Sequence, residues 1–154
     1  MRWQVWLVGA ALCTATGFAD DGADRAKIAG IWELQTGGAK DPGEHAGESW
    51  ILETKEDAVH ITRIDDGHKL AEFECNTLGR ECEVKDSGHS AKVTFWFNGP
   101  KLVQLETRGS KTVKRRFSTV DQGNAMDVEE IPMSPEGKTV VRRFTRVQRV
   151  TARQ

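Results

Sequence analysis

The 154-residue chain contains no tyrosine, only four prolines and only three cysteines. Three cysteines are too few for a small protein that disulfides hold together in place of a core. Charge of one sign is not in excess either, because 22 Lys and Arg stand against 23 Asp and Glu, giving a net charge of −1. A nucleic-acid scaffold would carry a clear basic excess, so none is expected here. The length predicts one domain that is large enough to bury a core.

Motifs of enzyme active sites are also missing. The chain has no Gly-x-Ser-x-Gly elbow, no phosphate loop and no His-Glu-x-x-His helix. The acidic pairs Asp65-Asp66 and Glu129-Glu130 are adjacent in sequence. Adjacent side chains point to opposite faces of a strand and make a poor two-carboxylate site. We therefore expect a protein that is not an enzyme and has no cofactor.

Residues 1–19 have the features of a secretory signal peptide. Arg2 precedes an apolar run, Val5–Leu12, and small residues in Gly17-Phe18-Ala19 stand before Asp20. The apolar run is too short to span a bilayer, which needs about 20 residues. We expect cleavage after Ala19 and a single exported domain, residues 20–154, with a periplasmic or extracellular location and no membrane span.

Export affects the interpretation of the two cysteines that would remain. Cys75 and Cys82 would lie in an oxidising compartment, with Gly79 between them to help the chain turn, so a disulfide is expected. A metal site is the alternative, because His68, Cys75, Cys82 and His89 recur every seven residues. Zinc sites usually use more closely spaced pairs. The spacing and the compartment both favour the disulfide, and no metal is expected.

The rest of the chain alternates between short β-rich runs and turn signals. A short helix is predicted at Asp24–Ala29. The runs that follow it are Gly30–Thr36, Glu48–Thr54, Ala58–Ile64, Lys69–Cys75, Glu81–Lys85, Ala91–Phe97, Lys101–Thr107, Thr112–Val120, Ala125–Ile131 and Thr139–Gln148. Consecutive hairpins predict an all-β, antiparallel up-and-down barrel of about 8–10 strands. The Gly-rich segment Thr36–Gly47 is longer than the turns and is a candidate lid.

Turn lengths in the second half of the chain also predict strand registers. Two-residue turns at Asn98-Gly99 and Gly109-Ser110 would set Phe95 opposite Leu102, and Gln104 opposite Arg115. The next loop would set Arg115 opposite Glu130. The turn at Pro135 would set Val128 opposite Arg143. One face of the sheet, taken as the barrel interior, then carries the candidate ligand-binding residues Phe95, Phe97, Gln104, Arg115, Phe117, Met126, Glu130 and Arg143.

The charged residues on this face have two interpretations, because burying an unpaired Arg or Glu costs several kcal/mol. Either Arg115 and Glu130 form a structural pair in a filled barrel, or a hydrated lumen binds a small amphipathic ligand with an acid head. The opposite face carries Trp96 and Phe144 beside charged residues, and it is a possible protein contact surface. The alternative to a ligand-binding barrel is therefore a structural or protein-interaction module.

Ile28-Ala29-Gly30-Ile31-Trp32-Glu33-Leu34 resembles the Gly-x-Trp signature that opens lipocalin-type barrels. The chain from Phe73 to Val147 is similar to the lipocalin-like β-barrels of exported bacterial proteins, through Phe95–Val103, Val113–Phe117 and Met133–Thr139. The resemblance implies that Trp32 packs across the closed end of the barrel, near a basic residue of the last strand. The candidates for that residue are Arg142, Arg143 and Arg146. The resemblance also implies binding of a small hydrophobic ligand.

Overall fold

A computed structural model describes residues 21–35 and 47–148. These residues form one short helix and ten strands: α1 (Asp21–Ala26), β1 (Gly30–Leu34), β2 (Ser49–Lys55), β3 (Ala58–Asp65), β4 (His68–Asn76), β5 (Leu78–Asp86), β6 (His89–Asn98), β7 (Lys101–Arg108), β8 (Lys111–Val120), β9 (Ala125–Ser134) and β10 (Val140–Arg146). The strands close into an antiparallel barrel in chain order, with β1 between β2 and β10. The predicted fold class is confirmed.

Local sequence accounts for the hairpins. Asp66-Gly67 and Ser87-Gly88 take positive φ at both positions, as tight hairpin turns require. The helix overlaps the predicted segment but begins three residues earlier, at Asp21. Among the described residues there is no helix with the length and apolar character needed to cross a bilayer. The predicted signal peptide, residues 1–19, and most of the candidate lid, residues 36–46, lie outside the described residues.

The registers among β7, β8 and β9 follow the prediction. Gln104 pairs with Arg115, and Arg115 pairs with Glu130. Between β6 and β7 the register differs by two residues, since Phe95 pairs with Gln104 instead of Leu102. The turn there is formed by residues 99–100, not 98–99. A shift of two residues keeps every side chain on its predicted face.

The predicted register of β10 is wrong by one residue, and its faces are therefore exchanged. Arg142 pairs with Val128, and Arg143 pairs with Asp127. Phe144, predicted to lie outside, is fully buried, whereas Arg143 lies outside the barrel and forms an ion pair with Asp127 at 2.7 Å. The hairpin causes the difference. Its first bridge joins residues 133 and 136, and an extra residue lies between this bridge and the ladder that follows.

Apolar side chains fill the half of the barrel beneath α1. The large residues there are 0 or 1% exposed, which leaves no water-sized space beside them: Trp32, Trp50, Leu52, Ile61, Phe95, Leu102, Phe117, Met126 and Phe144. The helix covers this end, since Ile28 is buried and the Nε of Arg25 donates to the Gly99 carbonyl oxygen. We call this region the apolar half.

Trp32 is fully buried at the α1 end of the apolar half, as predicted. Its Nε1 donates to the Ile28 carbonyl oxygen at 2.9 Å. The guanidinium of Arg146 lies 4.2 Å from the centre of its ring. Of the three arginines considered for this contact, Arg146 is the one that makes it.

The wall of the barrel has one weak seam, between β4 and β5. In the described strands β4 and β5, one residue pair forms the β-ladder between them, Ala71 opposite Asp86. The Cys75–Cys82 disulfide joins the same strands nearer the α1 end, with its Cα atoms 5.9 Å apart. The predicted disulfide is present, and the bond leaves neither thiol free to bind a metal. No cluster of three or more potential metal ligands occurs in the described part of the chain.

Candidate functional site

Eight charged side chains line the lumen at the end opposite α1, and we call them the charged ring. They come from β3, β5, β7, β8, β9 and β10 and from the residue before β2. Four are acidic and four are arginines: Glu48, Asp86, Glu106, Glu130, Arg63, Arg108, Arg115 and Arg142. Each points inward because it shares a strand face with core residues.

Acids and arginines alternate around one side of the ring. A nitrogen of Arg63 lies 2.5 Å from Asp86 and another lies 3.7 Å from Glu48. Arg108 continues the series, with one nitrogen 3.0 Å from Asp86 and 3.3 Å from Glu106. Each of these two arginines therefore contacts two carboxylates.

The other side of the ring completes the circle. Arg115 lies 3.1 Å from Glu106 and 3.6 Å from Glu130. Arg142 then forms hydrogen bonds with both Glu130 and Glu48. The eight side chains make a closed circuit of ion pairs with no net charge.

The ion pairs of the ring offset part of the free-energy cost of burying its charged groups. Burial alone would raise the pKa of Glu130, but the charges of Arg115 and Arg142 outweigh it and hold this pKa below its usual value. Burial alone would lower the pKa of Arg142, but Glu130 and Glu48 outweigh it and raise that pKa. Both residues are therefore ionised at neutral pH, as the circuit of ion pairs requires.

The charged ring rests on aromatic rings of the apolar half. The guanidinium of Arg63 lies 4.9 Å from the Trp50 ring centre, and that of Arg142 lies 5.7 Å from the Phe144 ring centre. The Nε1 of Trp50 donates to Glu48 at 2.8 Å. These contacts fix the boundary between the two halves of the lumen.

Some hydrogen-bonding atoms of the charged end have no partner among the described residues. These are the Nε donors of Arg63, Arg108 and Arg115 and the Oε1 acceptor of Gln104. Gln104 is fully buried, and its Nε2 donates to Glu106 at 3.4 Å. The ring balances its charges, but three donors and one acceptor remain buried without a hydrogen-bond partner in the described part of the chain.

A cavity of about 310 Å³ opens at the charged end. Its lining includes Glu48, Arg63, Asp86, Glu106, Arg108 and Arg115. Its volume is at the lower limit of pockets that bind small molecules, about 300–1,000 Å³. The cavity is therefore large enough for a polar group but not for a large ligand.

The predicted site residues divide into three groups. Gln104, Arg115 and Glu130 lie together at the charged end. The apolar members lie in the other half: Phe95, Phe117 and Met126, which are fully buried, and Phe97, whose ring lies 5.0 Å beneath Arg25. Arg143 lies outside the barrel, so its predicted interior position is wrong.

Sequence reasoning missed most of the ring. Glu106 and Arg108 lie on β7 at the same alternation as Gln104, so extending the inward face by two steps would have found both. Arg142 was missed because the predicted register of β10 put its neighbour Arg143 on the inner face instead. Arg63 lies two residues after the buried Ile61 in β3, so the same alternation would have found it. Glu48 and Asp86 stand at the ends of strands, where a polar residue is ordinary.

Phe73 is an inward-pointing residue of β4 that keeps some exposure. It lies on the weak seam, and its ring centre is 6.4 Å from that of the fully buried Phe95. It is two residues from Ala71, which pairs with the ring residue Asp86. Phe73 therefore provides apolar surface between the charged ring and the packed core.

Solved structures with the same architecture are barrels of similar size. The chain superposes on secretory abundant heat soluble protein 4 of Ramazzottius varieornatus with a TM-score of 0.64 and 16% identity, covering 80% of this chain and 96% of that one. For a Schistosoma mansoni fatty acid binding protein in complex with arachidonic acid, the TM-score is 0.63, the identity 15%, and the coverage 81% and 99%. For Caenorhabditis elegans lipid binding protein 8, these values are 0.61, 8%, and 79% and 96%.

These identities show a shared fold and nothing more specific. The fold is a lipocalin-like barrel, and two of the three proteins compared are lipid-binding or fatty-acid-binding proteins by name. No protein-family model matches the sequence, and no curated protein is significantly similar to it.

Proposed function

We propose that this chain is an exported, non-enzymatic barrel that binds a small amphipathic ligand, with the polar group of the ligand in the cavity of the charged ring. The observation that carries the proposal is the set of unpartnered buried polar atoms at and beside this cavity: three belong to arginines that line it, and the fourth to Gln104, which contacts the lining residue Glu106. A buried polar atom without a partner costs about 1–3 kcal/mol. A ligand that pairs with these atoms would recover part of that cost on binding.

The apolar part of the ligand lies against Phe73 in this proposal. The side chains deeper in the apolar half border no free space, whereas Phe73 keeps some exposure beside the weak seam. The names of the similar barrels that bind fatty acids or lipids support an apolar portion. The predicted contacts of Phe95, Phe117 and Met126 with a ligand would require these side chains to move.

Calorimetric titration of the exported protein with a series of decyl compounds tests the proposal. We expect saturable binding with one site, and native mass spectrometry of protein from the producing cells should show a bound small molecule. The double variant Arg115→Met/Glu130→Leu should keep the fold and lose binding, because it removes two members of the ring.

The chain offers a matched control for this variant. Arg116 and Glu129 are the neighbours of Arg115 and Glu130 on the same strands, and they form a hydrogen-bonded ion pair on the outer face at 2.6 and 2.7 Å. Arg116→Met/Glu129→Leu should bind like the wild type. Equal loss of binding in both double variants, or no saturable binding in the wild type, would contradict the proposal.

A filled barrel that acts as a structural or interaction module is the second candidate. The complete burial of the apolar half favours it, because no cavity remains among those side chains. Its contact surface would include Trp96, which lies half-buried on the outer face beside the buried Val103. Phe144 is not part of that surface. A protein with no bound small molecule and no titration signal would support this candidate.

A further inference from the structure

We infer that the charged ring selects an uncharged, hydroxyl-bearing head group in preference to the carboxylate of a fatty acid. The inference rests on the proposed function, because it concerns the ligand of the same cavity. It depends on two independent features, the neutrality of the ring and the geometry of Gln104 beside Arg115.

The first feature is that no arginine of the ring is left for an anion. Each of the four contacts two carboxylates of the ring, so every positive charge is already balanced. A carboxylate head would add a negative charge to a cavity that four acids already line: Glu48, Asp65, Asp86 and Glu106. It would lose its hydration without gaining a free countercharge, which is unfavourable in a buried site.

The second feature is the type of hydrogen bond that the site still needs. Gln104 and Arg115 pair directly across β7 and β8. The Oε1 of Gln104 needs a donor, and the Nε of Arg115 needs an acceptor. The bond from Gln104 Nε2 to Glu106 fixes which end of the amide carries the free oxygen.

A hydroxyl group meets both needs at once, because it donates and accepts. Neither atom is accessible in the unliganded barrel, so small side-chain movements must admit the hydroxyl, which then donates to Gln104 Oε1 while it accepts from Arg115 Nε. A carboxylate or a phosphate diester accepts only, and would leave Gln104 without a donor. A quaternary ammonium can neither donate nor accept a hydrogen bond. The Nε groups of Arg63 and Arg108 provide further donors for a second hydroxyl, so a glycerol or sugar head fits the chemistry.

Three ligands of equal chain length test this inference: 1-decanoylglycerol, decyl glucoside and decanoate. Each is titrated below its critical micelle concentration into the wild-type protein at pH 7, with calorimetry as the readout. We expect the two hydroxylated ligands to bind about tenfold or more tightly than decanoate. Decanoate binding as tightly as either of them would overturn the inference but leave the proposed function intact.

The outcome in which none of the three ligands binds is a separate result. It would overturn the proposed function as well, and with it the inference. Saturable binding of at least one of the three ligands would support the proposed function, and only the head-group preference could then fail.

Two variants assign the preference to the residues named. Gln104→Leu should weaken the hydroxylated ligands several-fold and leave decanoate unchanged. Glu130→Gln gives the ring one net positive charge while Arg115 keeps Glu106 and Arg142 keeps Glu48, so decanoate binding should strengthen several-fold. Glu129→Gln on the outer face is the control and should change neither ligand. An unchanged ligand order in a folded Gln104→Leu or Glu130→Gln protein would contradict the assignment.

Discussion

The two halves of the lumen are stabilised in different ways. In the apolar half, large side chains fill the space completely, and only Trp32 and Trp50 among those named use a polar atom. At the charged end, every ring residue forms ion pairs with two others of opposite charge. Packing tolerates an approximate match of volumes, whereas a circuit of ion pairs requires each member.

This difference affects what a substitution does in each half. A truncated core residue leaves a cavity, and its cost grows with the volume removed. A removed ring residue leaves two charged neighbours with one partner each instead of two.

Trp32→Ala should lower the free energy of unfolding by about 3–5 kcal/mol, the range for truncating a large buried aromatic residue. The side chain is 0% exposed and carries the contact with Arg146. Denaturant unfolding measures the change. Trp96→Ala, on the outer face, is the matched control and should cost clearly less. Equal losses would mean that the apolar half is not the main source of stability.

Removing the disulfide with Cys75→Ser/Cys82→Ser should lower the free energy of unfolding by about 2–3 kcal/mol, as expected for a short covalent loop. The bond joins two strands that share a single ladder pair, so little else holds that part of the wall. Intact mass without reductant should show the loss of two hydrogens in the wild type. A chelator should leave the melting temperature unchanged, and a large drop would instead support the metal alternative.

Glu130→Leu should lower the free energy of unfolding by about 1–3 kcal/mol, less than for a fully buried ion pair because both partners keep some exposure. Double-mutant cycles separate its two partners. The coupling with Arg142, which is hydrogen-bonded to Glu130, should exceed that with Arg115, which lies 3.6 Å away. The reverse order would contradict the arrangement of the ring. Arg116→Ala on the outer face should change stability by no more than about 0.5 kcal/mol.

Acidification should weaken the charged end. The pKa of Glu130 is lower in the folded state than the ordinary value of 4.5, so its ionised form stabilises the fold above that value. This contribution is lost as the pH falls below 4.5 and through the lowered folded-state pKa. Melting temperatures between pH 7 and pH 3 should therefore fall less steeply for Glu130→Gln than for the wild type. Parallel curves would show that Glu130 contributes nothing to the acid sensitivity.

The fold was predictable from local signals. β-Rich runs, tight turns and the absence of sustained helical periodicity were sufficient for the barrel. The row of Gln104, Arg115 and Glu130 was also predictable, because two short connections fix the registers of β7, β8 and β9. The face of Arg143 was not, because an extra residue in the hairpin before β10 leaves no clear pattern in the sequence.

The closed circuit of the ring could not be predicted for a different reason. It joins Glu48 to Arg142, which are 94 residues apart and separated by eight connections between strands. Wherever the register of a strand is uncertain by one residue, a charged side chain on that strand can point either into the barrel or outward. A single charged side chain near a turn is usually a solvated one, and only the assembled barrel shows that eight of them meet.

The glycine of the Gly30-x-Trp32 pattern has a mechanical consequence for the closed end of the barrel. A Cβ atom at Gly30 would lie 2.3 Å from the Nη1 of Arg146. In the space that the missing methyl group leaves, Arg146 donates to the carbonyl oxygens of Lys27, Ala29 and Gly123. One side chain thus anchors the end of the helix, the start of the first strand and the turn after β8 to the last strand. A larger residue at Gly30 would detach all of them together, so this end should open as one unit rather than fray strand by strand.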